Sequence, residues 1–355
     1  MEKNQILPPM IVLTGPTAVG KTGLSIALAK AVEGEIISAD SMQVYRGMDI
    51  GSAKITREEM QGVPHHMIDI LEPWESFSVA DFVENCKRIT HEIYDRGHIP
   101  VVTGGTGFYI QALLKDVDFS MPVLEERCGD SDLSVKETGN TEEESSEEAT
   151  YGETPGKYRA YLETLAREKG AAYLHELLRQ ADPASAEAIH ANNVKRSIRA
   201  LEFFYLTGRR ISEHNEQEKQ KAGIYNSCYF VLNDRRERLY ARIEQRIDEM
   251  LAAGLAGEVQ ALRDRGCERG MVSMQGLGYK ELLAWLEGEC TYEQAVEILK
   301  RDTRHFAKRQ LTWFRREKEV VWVNKDEFGY DEEKILDFML TELRRRRIVP
   351  SGRDA

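Results

Sequence analysis

Residues 15 to 22 read Gly15-Pro16-Thr17-Ala18-Val19-Gly20-Lys21-Thr22 and match the phosphate-loop pattern G-x-x-x-x-G-K-[ST] at every fixed position. Before them, Met10-Ile11-Val12-Leu13-Thr14 is a short apolar run suited to a buried parallel strand. After them, Leu24, Ala27, Leu28 and Ala31 fall at helical spacing. Strand, glycine loop and helix stand in the order that a phosphate grip requires. In such a loop the backbone N–H groups point inward and the helix N-terminus adds partial positive charge, while Lys21 adds a full charge and Thr22 offers a hydroxyl to Mg²⁺. Which phosphate is gripped, and what is done with it, the loop leaves open.

Outward from the loop, strand-like and helix-like segments alternate: strands over 10–14, 35–38 and 99–103, helices over 21–32, 79–95 and 106–115. That rhythm predicts βαβ units. The fold class is therefore α/β, a P-loop NTPase-like parallel sheet flanked by helices, with a helical insertion domain. Helical patterns fill 158–169, 172–180, 183–190 and 194–206 with no strand between them. A strand returns at 229–232 and another at 320–323, with helices over 235–253, 255–265, 279–287, 292–317 and 332–345. The expected division is a core of 1–117 and 207–330, an insertion of 118–206, and a C-terminal helix with a basic tail over 331–355.

The net charge of −12 speaks against a polyanionic partner only as an average. Eleven acidic residues against three basic ones lie in 121–157, a stretch with no apolar period that reads as a disordered acidic loop over 121–156. Seven bases against two acids occupy 301–318, and 344–347 is a run of four arginines. A basic face remains open to the rest of the chain. Five cysteines without a C-x-x-C pair argue against a disulfide framework or zinc module and for a reducing, cytoplasmic setting. No secretory leader and no membrane-spanning apolar run is expected. The His65-His66 pair has no third ligand at suitable spacing, which points away from a metal.

A second acidic element separates the users of a phosphate loop. The strand Ile99-Pro100-Val101-Val102-Thr103 runs into Gly104-Gly105-Thr106-Gly107, so no Walker-B acid stands at its end. Asn324-Lys325-Asp326-Glu327 echoes the guanine-reading N-K-x-D but lacks its final Asp, which argues against a GTPase. The carboxylate that presents itself is Asp40, just past the second strand, at the edge where open α/β sheets bind ligands. It reads either as a general base or Mg²⁺-water ligand, or as a helix cap. The Gly104–Gly107 turn shares that edge.

Six stretches in a fixed order resemble the bacterial tRNA dimethylallyltransferases. They are Gly15–Thr22, Ser38-Ala39-Asp40-Ser41-Met42-Gln43-Val44-Tyr45, Met48-Asp49-Ile50-Gly51-Ser52-Ala53-Lys54, Pro64-His65-His66, Gly104-Gly105-Thr106-Gly107-Phe108-Tyr109, and Lys308-Arg309-Gln310-Leu311-Thr312-Trp313-Phe314-Arg315. The resemblance covers about residues 10 to 323. It implies transfer of a dimethylallyl group from dimethylallyl diphosphate to N6 of the adenosine 3′ of the anticodon in tRNA. It further implies that Gly15, Pro16, Thr17, Ala18, Val19, Gly20, Lys21 and Thr22 bind the diphosphate, with Mg²⁺ on Thr22 and Asp40 through water. Lys21, Thr22, Asp40 and Arg246 would be catalytic. Asp40, Ser41, Met42, Gln43 and Thr106 would meet the target nucleotide. Contacts to the anticodon stem-loop would come from Arg159, Lys195, Arg196, Ser197, Ile198 and Arg199, from Gln275, Gly276, Leu277, Gly278, Tyr279 and Lys280, and from Lys308, Arg309 and Arg315. A monomer without membrane attachment is expected.

The chemistry suits these residues. An adenine amine is a poor nucleophile until a base removes its proton, and a leaving diphosphate needs cations and amides around it. A small-metabolite kinase would share the loop and Asp40 but not the basic stretches at 195–199 and 301–318. A non-catalytic RNA-binding module would share the bases but not Lys21, Thr22 and Asp40 at one edge. The acidic stretch departs from the family pattern and cannot hold RNA. Deleting 125–153 is expected to leave tRNA affinity in a filter-binding assay unchanged or improved, and a large loss would contradict that reading.

Overall fold

In the computed structural model, which describes residues 7–119 and 155–350, the five apolar runs read from the sequence lie side by side in a sheet that a short sixth strand completes. In chain order the first part gives β1 (Pro9–Thr14), α1 (Lys21–Ala31), β2 (Gly34–Ala39), β3 (His65–His66), α2 (Val79–Asp95), β4 (Ile99–Gly104) and α3 (Gly107–Lys115). After the helical stretch come β5 (Asn226–Asn233), α9 (Arg236–Ala252), α10 (Leu255–Asp264), α11 (Tyr279–Leu286), α12 (Tyr292–Phe314), β6 (Val320–Asn324) and α13 (Glu332–Arg345). The sheet order is β3-β2-β4-β1-β5-β6, and every pairing is parallel.

Parallel strands covered on both faces need near-continuous apolar sequence, which β1 supplies over Met10–Leu13 and β2 only at Ile36 and Ile37. Met10, Ile11, Val12 and Leu13 are fully buried, as are Ile36 and Ile37. Helix α2 lays Phe82, Cys86, Ile89 and Ile93 inward, the stripe its spacing predicts. It starts where Ser78 Oγ accepts the Asp81 N–H and Asp81 Oδ2 accepts the Ser78 N–H, a reciprocal cap that satisfies two otherwise orphaned donors.

The described chain forms two compact units, one up to Asp116 and again from Gly223, the other from Val117 to Ala222. The second consists of α4 (Pro155–Glu168), α5 (Gly170–Ala181), α6 (Pro183–Ala188), α7 (Val194–Thr207) and α8 (Ile211–Gln220). Its core gathers Leu162, Leu174, Leu178, Ile198 and Leu201. The sequence expectation ends this unit at 206, and α8 carries it further. Helix α8 buries none of its residues, so it offers no apolar period to read. It is fixed at its start by the fully buried Asp182, which caps α6 and accepts both the N–H and the hydroxyl of Ser212, at 3.0 and 2.7 Å. Helix α4 also begins at Pro155, inside the stretch read as the acidic loop. The remainder of that stretch lies outside the described residues.

The two-residue strand β3 was not foreseen, and it explains the histidine pair. Glu35, 2% exposed at the start of β2, receives Arg96 through Nε and Nη2, and also His66 Nε2 and His98 Nδ1, all at 2.7 Å. One carboxylate thus ties β2 to β3, to the end of α2 and to the start of β4. His65 is turned elsewhere, its Nδ1 against the Val63 carbonyl. The Arg96 guanidinium and the two imidazoles hold the Glu35 carboxyl down at about 2. Because the folded-state value lies below that of an unfolded chain, this stabilisation is complete above the ordinary carboxylate range and is lost as pH falls through about 2. Glu35→Gln is expected to cost about 2–4 kcal/mol at neutral pH by chemical denaturation. It should also flatten the acid limb of the parent's stability curve. Equal stability of the two proteins at pH 7 would remove Glu35 from this role.

Candidate functional site

Three strands end in one row. Thr14 of β1 pairs with Gly104 of β4, and Gly104 pairs with Ala39 of β2. The residues that follow, Gly15, Gly105 and Asp40, therefore leave the sheet side by side at its C-terminal edge. Above that edge is a cavity of about 930 Å³ whose walls include Lys21, Thr22, Asp40, Lys54, Arg246 and Gln310.

The phosphate loop curls as its glycines allow. Gly20, the residue before α1, has φ +95°, a conformation costly for any side chain bearing Cβ. Lys21 Nζ folds back on the loop and donates to the carbonyls of Gly15 and Pro16 at 3.0 and 2.9 Å. Burial pushes its ammonium down to about 7, with the Arg246 charge acting in the same direction and the Asp40 carboxylate opposing both. Arg246 on α9 is likewise lowered by desolvation and supported by Asp40. Further cations crowd the loop's end. A Cβ placed on Gly20 would lie 3.1 Å from Lys325 Nζ and 3.3 Å from Arg242 Nη2. Such an arrangement of desolvated cations around backbone amides is built for a polyanion.

On the opposite wall, Asp40 Oδ1 accepts the Met42 N–H at 2.8 Å, which fixes the carboxylate without using its second oxygen. Gln43 is held by the Ser38 hydroxyl at 2.9 Å. The next loop is pinned twice. Lys54, its side chain 5% exposed, donates to Tyr45 O at 2.7 Å and to Asp49 and Asp69 at 2.6 Å. Glu258 on α10 accepts the N–H groups of Asp49, Ile50 and Gly51 at 2.9, 2.8 and 3.1 Å, and the Tyr279 hydroxyl at 2.7 Å.

Of the expected edge residues, Thr17, Ala18, Gly20, Lys21, Thr22, Asp40, Gln43 and Arg246 come together around one cavity, whereas Gly15, Pro16 and Val19 are buried and take no part in its wall, and β4 carries no acid at its end. The residues assigned to RNA divide into two groups. Lys195, Arg196, Gln275, Lys308, Arg309 and Arg315 are exposed. Arg159 and Arg199 both pair with the buried Glu202, Arg159 through two bonds at 3.0 and 2.6 Å. Five assignments need correction because the residues are closed off. Ser197 and Ile198 are buried in the helical unit, Tyr279 is fully buried on Glu258, Gly276 is covered by Met42 Sδ, which would stand 2.7 Å from a Cβ there, and the buried Gly278 donates its N–H to Glu281.

Sequence reading missed Gln310, Glu258, Lys54, Arg242 and Lys325. Gln310 follows Lys308 and Arg309, and nothing local in that basic stretch marks a neutral amide as a buried bridge. Lys325 belongs to the stretch that echoes a guanine-reading motif, yet it is buried against the phosphate loop, its Nζ 3.5 Å from Val19 O. Glu258 sits on a polar helix face, where nothing local distinguishes a structural carboxylate from a solvated one.

Comparison with known proteins gives a consistent picture. The family described as IPP transferase matches residues 43–317, and isopentenyl transferase matches 9–71. A tRNA dimethylallyltransferase of Lachnoclostridium phytofermentans is 52% identical over 343 residues, 97% of this chain and all of that one. The crystal structure of a full-length tRNA isopentenylpyrophosphate transferase from Bacillus halodurans is 41% identical, covers 96% of this chain and 98% of its own, and superposes with a TM-score of 0.64. A eukaryotic dimethylallyltransferase acting on tRNA is 25% identical with a TM-score of 0.76, covering 98% of this chain and 81% of that one.

The depressed Lys21 ammonium has a measurable consequence. A bound polyanion favours the charged form and raises its pKa, so affinity should fall as pH rises through about 7. At pH 8, an alkyl diphosphate, which is fully ionised there, is expected to bind with uptake of about one proton, read by calorimetry in buffers of different ionisation enthalpy. Lys21→Met should abolish the uptake, and binding by the parent with no proton exchange would contradict the assignment.

Proposed function

We propose a mechanism on the premise that the chain belongs to the IPP transferase family. It transfers a dimethylallyl group to tRNA. The donor is dimethylallyl diphosphate and the acceptor N6 of the adenosine 3′ of the anticodon. The observation that carries this reading is the meeting of a cation-rich phosphate loop and a single fixed carboxylate, Asp40, at one sheet edge.

In the reaction the adenine N6 attacks C1 of the dimethylallyl group, the C1–O bond breaks, and diphosphate leaves. Asp40 takes the proton that N6 must lose, using the oxygen not bonded to Met42. Lys21, Arg246, Arg242 and the loop amides meet the charge that grows on the leaving oxygens. Ile36, Ile50, Ile55, Ile68 and Met250 in the same cavity wall suit a short branched hydrocarbon. Family members use a divalent metal with diphosphate substrates, and we assign Mg²⁺. The Thr22 hydroxyl and Asp40 carboxylate are hard oxygen donors, and no cluster of three or more His, Cys, Asp or Glu competes among the described residues. That set fits a cation held largely by water and substrate phosphate, which supplies charge neutralisation on the diphosphate.

A base must be taken out of its stack for N6 to be reached, so the RNA needs a firm hold on its backbone. Exposed Lys195 and Arg196 in one unit and Lys308, Arg309 and Arg315 in the other are assigned to phosphates. No helix among the described residues is long and apolar enough to cross a membrane. A monomer acting in the cytoplasm is the reading we adopt.

Incubation with labelled dimethylallyl diphosphate and unmodified tRNA tests the proposal directly. Label should enter the tRNA with the parent protein. Asp40→Asn is expected to lower the rate by about 10²–10⁴ while tRNA binding persists. Phosphate transfer from ATP without prenylation would favour a kinase, and an unimpaired Asp40→Asn would take the base from that residue.

A further inference from the structure

Gln310 is a buried amide, 6% exposed, on the face of α12 that also carries the buried Ala307 and Phe314. A polar side chain in such surroundings costs stability unless both ends are bonded, and here both are. Its Oε1 accepts the N–H of Thr17 at 2.9 Å, and its Nε2 donates to the carbonyl of Gly105 at 3.0 Å. One side chain therefore joins the loop that grips the diphosphate to the turn that carries Thr106.

The turn is shaped to receive it. A Cβ at Gly105 would lie 2.2 Å from Gln310 Nε2, and one at Gly107 would lie 2.2 Å from Trp313 Cδ1. Three residues apart on α12, Gln310 and Trp313 share a face and cover the turn from one end to the other. The glycines of this turn are thus explained by what presses on them, rather than by backbone conformation. An amide is also the side chain the position demands. It alone at this length accepts from an N–H and donates to a carbonyl at once, whereas an ionised carboxylate cannot donate and an ammonium cannot accept.

We propose that Gln310 is a positioning residue for the transfer reaction, fixing the separation between the diphosphate loop and the base-side turn and so between C1 of the donor and N6 of the acceptor. The inference rests on the transfer reaction proposed above. Displacement of reacting groups by about 1 Å costs on the order of 10²-fold in rate while leaving the binding determinants in place. Loss of the bridge should accordingly appear in the chemical step rather than in substrate binding.

The test compares Gln310→Met, Gln310→Glu and the parent in single-turnover transfer from dimethylallyl diphosphate to an anticodon stem-loop. Gln310→Met fills similar space with neither bond, and it is expected to slow transfer about 10- to 100-fold, with half-saturating concentrations of both substrates within about threefold of the parent. Gln310→Glu should be equally slow near pH 8. When protonated, however, its carboxyl donates and accepts as the amide does, so its rate relative to the parent should climb as pH falls towards about 5.5. The same ratio for Gln310→Met should stay flat. A Gln310→Met protein with parental transfer rate, or a flat ratio for Gln310→Glu, would overturn the inference while leaving the transfer reading intact. A parent protein that transfers nothing would overturn both.

Discussion

The shared finishing line of β1, β4 and β2 is the constraint on which the site depends. Parallel pairing places Thr14, Gly104 and Ala39 in one row, so three separate loops begin at the same height. None of the three is near another in sequence. A shift of one residue in either pairing would move Asp40 or Gly105 along the edge by the rise of a strand residue, about 3.3 Å. The proposed transfer, which needs the Asp40 carboxylate beside the amine and the phosphate loop beside the leaving group, could not tolerate that. The buried strands β1 and β2 and the carboxylate of Glu35 serve this register more than they serve bulk stability.

Much of this architecture was legible. The phosphate loop declares itself because its glycines, lysine and hydroxyl stand close together in sequence, and the βαβ rhythm because burial imposes a period. Asp40 was legible by position, since strand ends in such sheets face the ligand. What was hidden depends on contacts distant in sequence. Glu35 meets His66, Arg96 and His98 only after three strands align, and Gln310 meets Thr17 across nearly the whole chain. Helix α8 escaped because a helix without a buried face leaves no apolar trace. The tRNA assignments erred where a motif was carried over whole, since within Lys195–Arg199 the helix turns Ser197 and Ile198 inward while Lys195 and Arg196 face water.

Electrostatics and packing do different work around the cavity. Cations gather at the phosphate loop despite mutual repulsion and the cost of burial, both of which a bound polyanion would relieve. Asp40 is the counterweight, supporting both Lys21 and Arg246. Its negative charge steadies the loop's cations, and the proposed proton transfer would draw on the same carboxylate.

Glu258 gives the cavity wall a further property. Three consecutive amides at Asp49, Ile50 and Gly51 form the kind of backbone nest that captures anions, and the chain fills it with a carboxylate of its own. The molecule therefore has two backbone receptors for negative charge beside one cavity, and one is permanently occupied from within. An anion is thus directed to the phosphate loop alone, because the donors of the second receptor are already taken by Glu258 at folding.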